Sequence, residues 1–200
     1  MKKELEYFYI KDSYGWNQDW FKEVWMNIGG CGCVTACDTF VHLKKYKNKN
    51  KLYPFDTDVV EKEEYFKFTN IIKPYLRPRW TGIDKLDLYI EGVKKYFLKI
   101  DENTIDVSGF SGDNSYEEAK NIIKKQIENG YVIPMLILKH KNHIMKDYVW
   151  HWFLINGYEE IDNKFKVKLV TYGKYEWKDL EDVWNTGYTK KGGLIIYSEK

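Results

Sequence analysis

The chain has 200 residues, of which 44% are apolar, 18% aromatic and 31% charged, which excludes a disordered segment and suits one packed domain over residues 1–200, burying about 70% of its unfolded surface. Its 32 basic residues are balanced by 30 acidic ones and include only two arginines, Arg77 and Arg79, so no nucleic-acid partner is expected. The N-terminal MKKELEYFYIKD is too broken by Glu4, Glu6 and Lys11 for a secretion signal, and the most apolar window, YVIPMLIL at 131–138, falls short of the ~18 residues that span a bilayer, so a soluble, cytoplasmic protein without membrane contact is expected.

Gly29 and Gly30 permit a tight approach to a helix over 31–47, where Val34, Cys37, Val41 and His42 recur at helical spacing. A second helix is predicted over 59–72, ending before Pro74, and KPYLRPRW at 73–80 reads as a Pro-broken loop. A third starts near Thr81, placed as its cap before Asp84, with Ile83, Leu86, Ile90 and Val93 on one stripe. The turn-rich DVSGFSGDNS at 106–115 leads to a fourth helix, which Ser115 caps and Gly130 ends. From there the period is that of strands: YVIPMLIL, then YVWHWFLINGY at 148–158, KFKVKLVTY at 164–172 and GLIIYS at 193–198, with an amphipathic piece, EWKDLEDVWN at 176–185, before the last. Helices gathered in the first half and consecutive strands in the second predict an α+β fold with an antiparallel sheet.

Cys31, Cys33 and Cys37 fall within seven positions of one segment, an odd number that does not suit a disulfide framework. Side chains four apart on a helix, as Cys33 and Cys37 are, also fail disulfide geometry. Three readings stand side by side. In the first, Cys31 is a nucleophile: it sits in the first turn, where unpaired N–H groups favour the thiolate and lower its pKa, and its own N–H can face a developing oxyanion, while Cys33 and Cys37 pack inside the helix. In the second, Cys31, Cys33, Cys37 and His42 bind zinc, although C-x-C-x3-C-x4-H lacks the separated pairs of structural sites. In the third, all three cysteines are inert packing.

A nucleophilic cysteine needs a base. His42 is eleven residues along the same helix, about three turns from Cys31. His140 and His143 fall in the polar link KHKNH and are expected to be solvated. His151 lies inside a strand, where alternation groups it with Val149, Phe153 and Ile155, opposite Trp150, Trp152 and Leu154. A lone histidine in such a strand is ordinarily packed, and the presence of Cys31 makes it the candidate base.

GGCGCVTACD at 29–38, HWFLINGYE at 151–159 and VTYGK at 170–174, in that order, resemble the bacterial papain-like cysteine peptidases of the double-glycine-leader peptidase kind. The segment SYEEAKNIIKKQIENG leading into YVIPMLIL is similar too, so the resemblance spans most of residues 17–198. It implies a papain-like fold, with the cysteine helix packed on the C-terminal antiparallel sheet. It implies Cys31 as nucleophile, His151 as general base and Gln18, in WNQDWF, as a donor to the oxyanion, with no metal or cofactor. Gln18 stands thirteen residues before Cys31, a gap that requires a bulge or short helix between them. The third catalytic position departs from the family: where an Asn or Asp orients the imidazole, this chain offers Val170 and Thr171, of which only the Thr171 hydroxyl can bond to the ring. Asn156 reads as a turn residue on the other face of the strand. The function expected is hydrolysis or acyl transfer on a peptide or peptide-like amide or thioester. The alternative is a non-catalytic binding module on the same fold, with a cleft lined by some of Trp16, Trp20, Trp25, Trp150, Trp152 and Tyr172.

Overall fold

The computed structural model describes residues 1–77 and 82–200. Three short strands open the chain, β1 (Lys2–Glu4), β2 (Tyr9–Ile10) and β3 (Ser13–Tyr14), followed by α1 (Val24–Gly29), α2 (Cys31–Lys47), α3 (Lys62–Ile72) and α4 (Leu86–Lys99). Next come β4 (Ile105–Ser111), α5 (Tyr116–Glu128), β5 (Ile133–Ile137), β6 (His151–Ile161), β7 (Lys164–Thr171), β8 (Lys174–Asp179), α6 (Leu180–Trp184) and β9 (Gly193–Glu199). Among the described residues these strands form a seven-stranded antiparallel sheet in the order β4-β9-β5-β6-β7-β8, with β1 paired to the far half of β6, and a separate β2–β3 hairpin. The fold is therefore mixed, with helices and a large antiparallel sheet.

Alternation along the strands gives the sheet two apolar faces. Leu136, Trp152, Leu154, Val170 and Ile195 face α2, α3 and α4, whereas Met135, Phe153, Ile155, Leu169 and Leu194 face α5 and α6. The outer helices bury one stripe each, as in Tyr65, Phe68 and Ile72 of α3 or Ala119, Ile123 and Ile127 of α5. Helix α2 differs: every residue from Cys31 to Leu43 is buried, because sheet and helices enclose its first three turns, so it has no solvent face to pattern.

Several expectations are corrected. The third helix begins at Leu86, after an extended Lys85, and the cap expected at Thr81 lies outside the described residues. DVSGFSGDNS is strand for its first half: β4 pairs with β9 over seven residues despite Gly109, because the partner strand supplies the hydrogen bonds that local turn propensity would otherwise take. EWKDLEDVWN divides into the end of β8 and the one-turn α6. Asn156 is no turn residue. It lies fully buried in β6 where the β7 register shifts, its carbonyl accepting from Leu5 N–H at 2.8 Å and its Nδ2 donating to the Tyr14 hydroxyl at 2.8 Å.

Candidate functional site

Gly30 closes α1 and opens α2. Its N–H donates to the Met26 carbonyl at 3.0 Å, and its carbonyl accepts from Val34 N–H at 2.9 Å. A Cβ at this position would overlap the Met26 carbonyl oxygen, so only glycine joins the two helices this closely. Cys31 follows as the first residue of α2, 7% exposed. Gly32 then lets the Trp152 and Ile83 side chains lie against the first turn of α2, and the Trp152 indole N–H donates to the Ile83 carbonyl at 2.6 Å.

His151 opens β6 directly after Trp150, whose φ of 53° turns the chain sharply into the strand. Pairing of β6 with β7 brings Thr171, the last residue of β7, beneath the ring: His151 Nε2 is 2.7 Å from Thr171 Oγ1. The next two residues, Tyr172 (φ 51°) and Gly173 (φ 71°), form the two-residue turn between β7 and β8. The Tyr172 ring stacks on the imidazole at 4.9 Å, with 5° between the planes. With Nε2 engaged, Nδ1 is the ring atom left to take a proton.

The cysteine turn meets the start of β6 at Trp152, whereas His151 contacts Phe153, Thr171 and Tyr172. The backbone N–H of Trp152, adjacent in sequence to His151, acts on the Cys31 sulfur. Tyr172, stacked on His151, also lines a cavity of about 10 Å³ with Cys31, Thr171, Gln18, Trp16 and Asp38, room for about one water molecule. Among the described residues no hydrogen bond joins the thiol to the imidazole directly. Gln18 reaches this cavity because a single turn, Gln18–Trp20, and α1 take up the thirteen-residue gap. Its amide N–H groups are engaged by the Asn27 and Met26 carbonyls at 2.7 and 3.3 Å.

Burial dominates the electrostatics. It pushes the Cys31 thiol up, outweighing the amides of Trp152, Gly32 and Cys31 itself, which favour the thiolate. The depressed thiol expected from the helix N-terminus is thus corrected, since desolvation of a nearly enclosed sulfur exceeds what a few partial charges return. Burial also lowers His151 to about 4. The resting pair is a neutral thiol and a neutral imidazole.

Asp38 was not legible as a site residue. It lies two turns beyond Cys31 and is buried, accepting from the Tyr7 hydroxyl at 2.8 Å, the Tyr65 hydroxyl and Trp16 N–H at 3.4 Å; burial outweighs these donors and raises it to about 7. Its signal was a carboxylate inside the otherwise uncharged CGCVTACDTFV. Cys33 and Cys37 are fully buried, and His42 lies packed near Tyr7 and Tyr46. Among the described residues no three His, Cys, Asp or Glu side chains converge as a metal site requires. His143 is exposed, but His140 is half-buried, its Nδ1 accepting from Asn142 N–H at 3.0 Å. No helix among the described residues is long and apolar enough to cross a membrane. No protein-family model and no curated protein matches this chain.

Proposed function

We propose that this chain is a papain-like cysteine hydrolase or acyl transferase acting on a peptide or peptide-like amide or thioester. The observation that carries the reading is that Thr171 and Tyr172, which hold the His151 ring, line one cavity with the Cys31 thiol at the first turn of a buried helix. For Nδ1 to act as base, Nε2–H donates to the Thr171 hydroxyl. Nδ1 then takes the thiol proton as sulfur attacks the substrate carbonyl, and the imidazolium returns it to the leaving amine or thiol. Water or a second acceptor cleaves the resulting thioacyl bond to Cys31. The Cys31 backbone N–H is the donor available to the oxyanion, joined by Gln18 if substrate displaces one of its bonds to the α1 carbonyls.

A neutral resting pair makes the nucleophile only as the proton moves, so alkylation tests it directly. Iodoacetamide at neutral pH is expected to modify Cys31 at least about tenfold faster than the fully buried Cys33 and Cys37, as mapped by peptide mass spectrometry. His151→Ala is expected to slow Cys31 labelling itself by about tenfold or more, although accessibility still favours Cys31 over the two enclosed thiols. Equal labelling of all three thiols, or a Cys31 labelling rate unchanged by His151→Ala, leaves the chain as a binding module, the reading that the uncharged Thr171 partner favours.

A further inference from the structure

An imidazole that becomes charged during a reaction needs a group that favours its cationic form, and a threonine hydroxyl does this less well than a carboxylate or amide. The structure holds a second partner on the ring. Tyr172 lies 4.9 Å from His151 with its plane 5° from parallel, so its π face covers the imidazole. Its backbone sits in the left-handed region at φ 51°, the first position of a two-residue hairpin turn in which Asn, Asp or Gly is the undemanding choice. The aromatic residue gains little core burial there, being 37% exposed. What the ring meets there is the His151 imidazole on its face and the cavity beside Cys31.

We infer that Tyr172 is a positioning residue for the proposed base: its ring face holds the His151 imidazole flat and stabilises the imidazolium formed when Nδ1 takes the Cys31 proton, supplementing the uncharged Thr171. The attraction of a cation to an aromatic face supplies the physical reason. This rests on the catalytic reading above. Other groups near the ring are Thr171 on β7 and Phe153 on its own strand, at 6.4 Å. The charges acting on the Tyr172 phenol come from Asp19, before α1, and Asp147, before β6, and Cys31 acts on it from α2.

The test compares Tyr172→Phe, which keeps the face, with Tyr172→Leu, which keeps the cover and removes the π system; both side chains adopt the turn backbone at similar cost. Two readouts are taken on the full chain: the pH profile of Cys31 alkylation by iodoacetamide, and the titration of His151 by NMR. The expected result is alkylation about tenfold slower in Tyr172→Leu than in Tyr172→Phe at neutral pH, with His151 titrating roughly one pH unit lower in the leucine variant. Wild-type behaviour in both variants overturns the inference. Equal slowing in both overturns it too, since the hydroxyl rather than the face would then be responsible. If Tyr172→Leu loses its near-ultraviolet circular dichroism, Tyr172→Met takes its place. The two readings fail separately: alkylation indifferent to His151→Ala sinks the catalytic assignment, whereas a His151 titration identical in the phenylalanine and leucine variants sinks the stack.

Discussion

At the scale of single residues, the site depends on two glycines and one hydroxyl. Gly30 has an ordinary helical φ of −80°, so its requirement is spatial: any Cβ meets the Met26 carbonyl that accepts Gly30 N–H. Gly30→Ala is expected to destabilise the chain by about 1–3 kcal/mol, as overpacking does, measured as a shift of the urea midpoint at unchanged m-value. Because α1 also carries the carbonyls that hold Gln18, the same substitution disturbs the cavity beside Cys31. Gly32 and Thr171 act more locally, one admitting Trp152 against the cysteine turn and the other fixing the ring nitrogen that remains free for proton transfer. Neither glycine nor threonine announces such a role by type; the doublet GGC raised the possibility, but the clash partner lies four residues upstream and is visible only in the fold.

Among the elements, α5 shows how local chemistry and packing divide the work. Ser115 Oγ accepts from Glu118 N–H at 3.3 Å while Glu118 Oε2 accepts from Ser115 N–H at 2.9 Å, a reciprocal cap written in the sequence SYEE. Ser115→Ala is expected to cost about 1 kcal/mol in chemical denaturation, with Cys31 alkylation unchanged because α5 packs on the sheet face opposite α2. Helix α2 is the reverse case. Its buried Thr39 and Asp38 are satisfied inside the protein, Thr39 Oγ1 donating to the Thr35 carbonyl at 2.7 Å and Asp38 receiving two tyrosine hydroxyls, and its stability comes from enclosure rather than from an amphipathic pattern. Its end is local again: Lys44, Lys45 and Lys47 sit in the last turn, where positive charge suits the exposed carbonyls, and Asn48 closes it at φ 56°.

Across the whole molecule, the chain's first residues clamp the later strands. β1 pairs with β6, and Lys168 of β7, buried, donates to Glu4 at 2.9 Å and to the Tyr14 hydroxyl at 3.0 Å. Enclosure of this kind leaves three titratable groups far from their unfolded behaviour: His151 at about 4, His42 at about 3 and Asp38 at about 7. Unfolded histidines titrate near about 6.5 and aspartates near about 3.9. Between about pH 4 and pH 6.5, unfolding therefore takes up two protons at the histidines and releases one from Asp38. For the histidines, stability is present above the unfolded value and is lost as pH falls; for Asp38 it is full below the unfolded value and is lost as pH rises towards 7. The net uptake of one proton makes stability rise with pH in this window by about 1.4 kcal/mol per pH unit from these groups. His42→Gln leaves the remaining histidine and Asp38 to cancel, so urea midpoints at pH 4.5, 5.5 and 6.5 are expected to show a shallower acid limb than the parent; an unchanged slope would mean His42 titrates normally in the folded chain.

What the sequence determined by itself is what short-range chemistry controls: the start of α2 at Cys31, the cap at Ser115, the period change after Gly130, and the four apolar strands β5, β6, β7 and β9. Each is set by a residue's conformational preference or by a two- or four-residue repeat, so neighbours in the chain suffice to read it. Tertiary structure decided the rest. The strand β4 exists because β9 lies beside it, and β1 because β6 continues beyond the end of β5. The cavity likewise brings Gln18 and Asp38 together with Tyr172, more than a hundred residues further along the chain. Even the protonation of Cys31 and His151 followed enclosure rather than residue type, because the free energy of a charge depends on how completely the surrounding chain removes water from it.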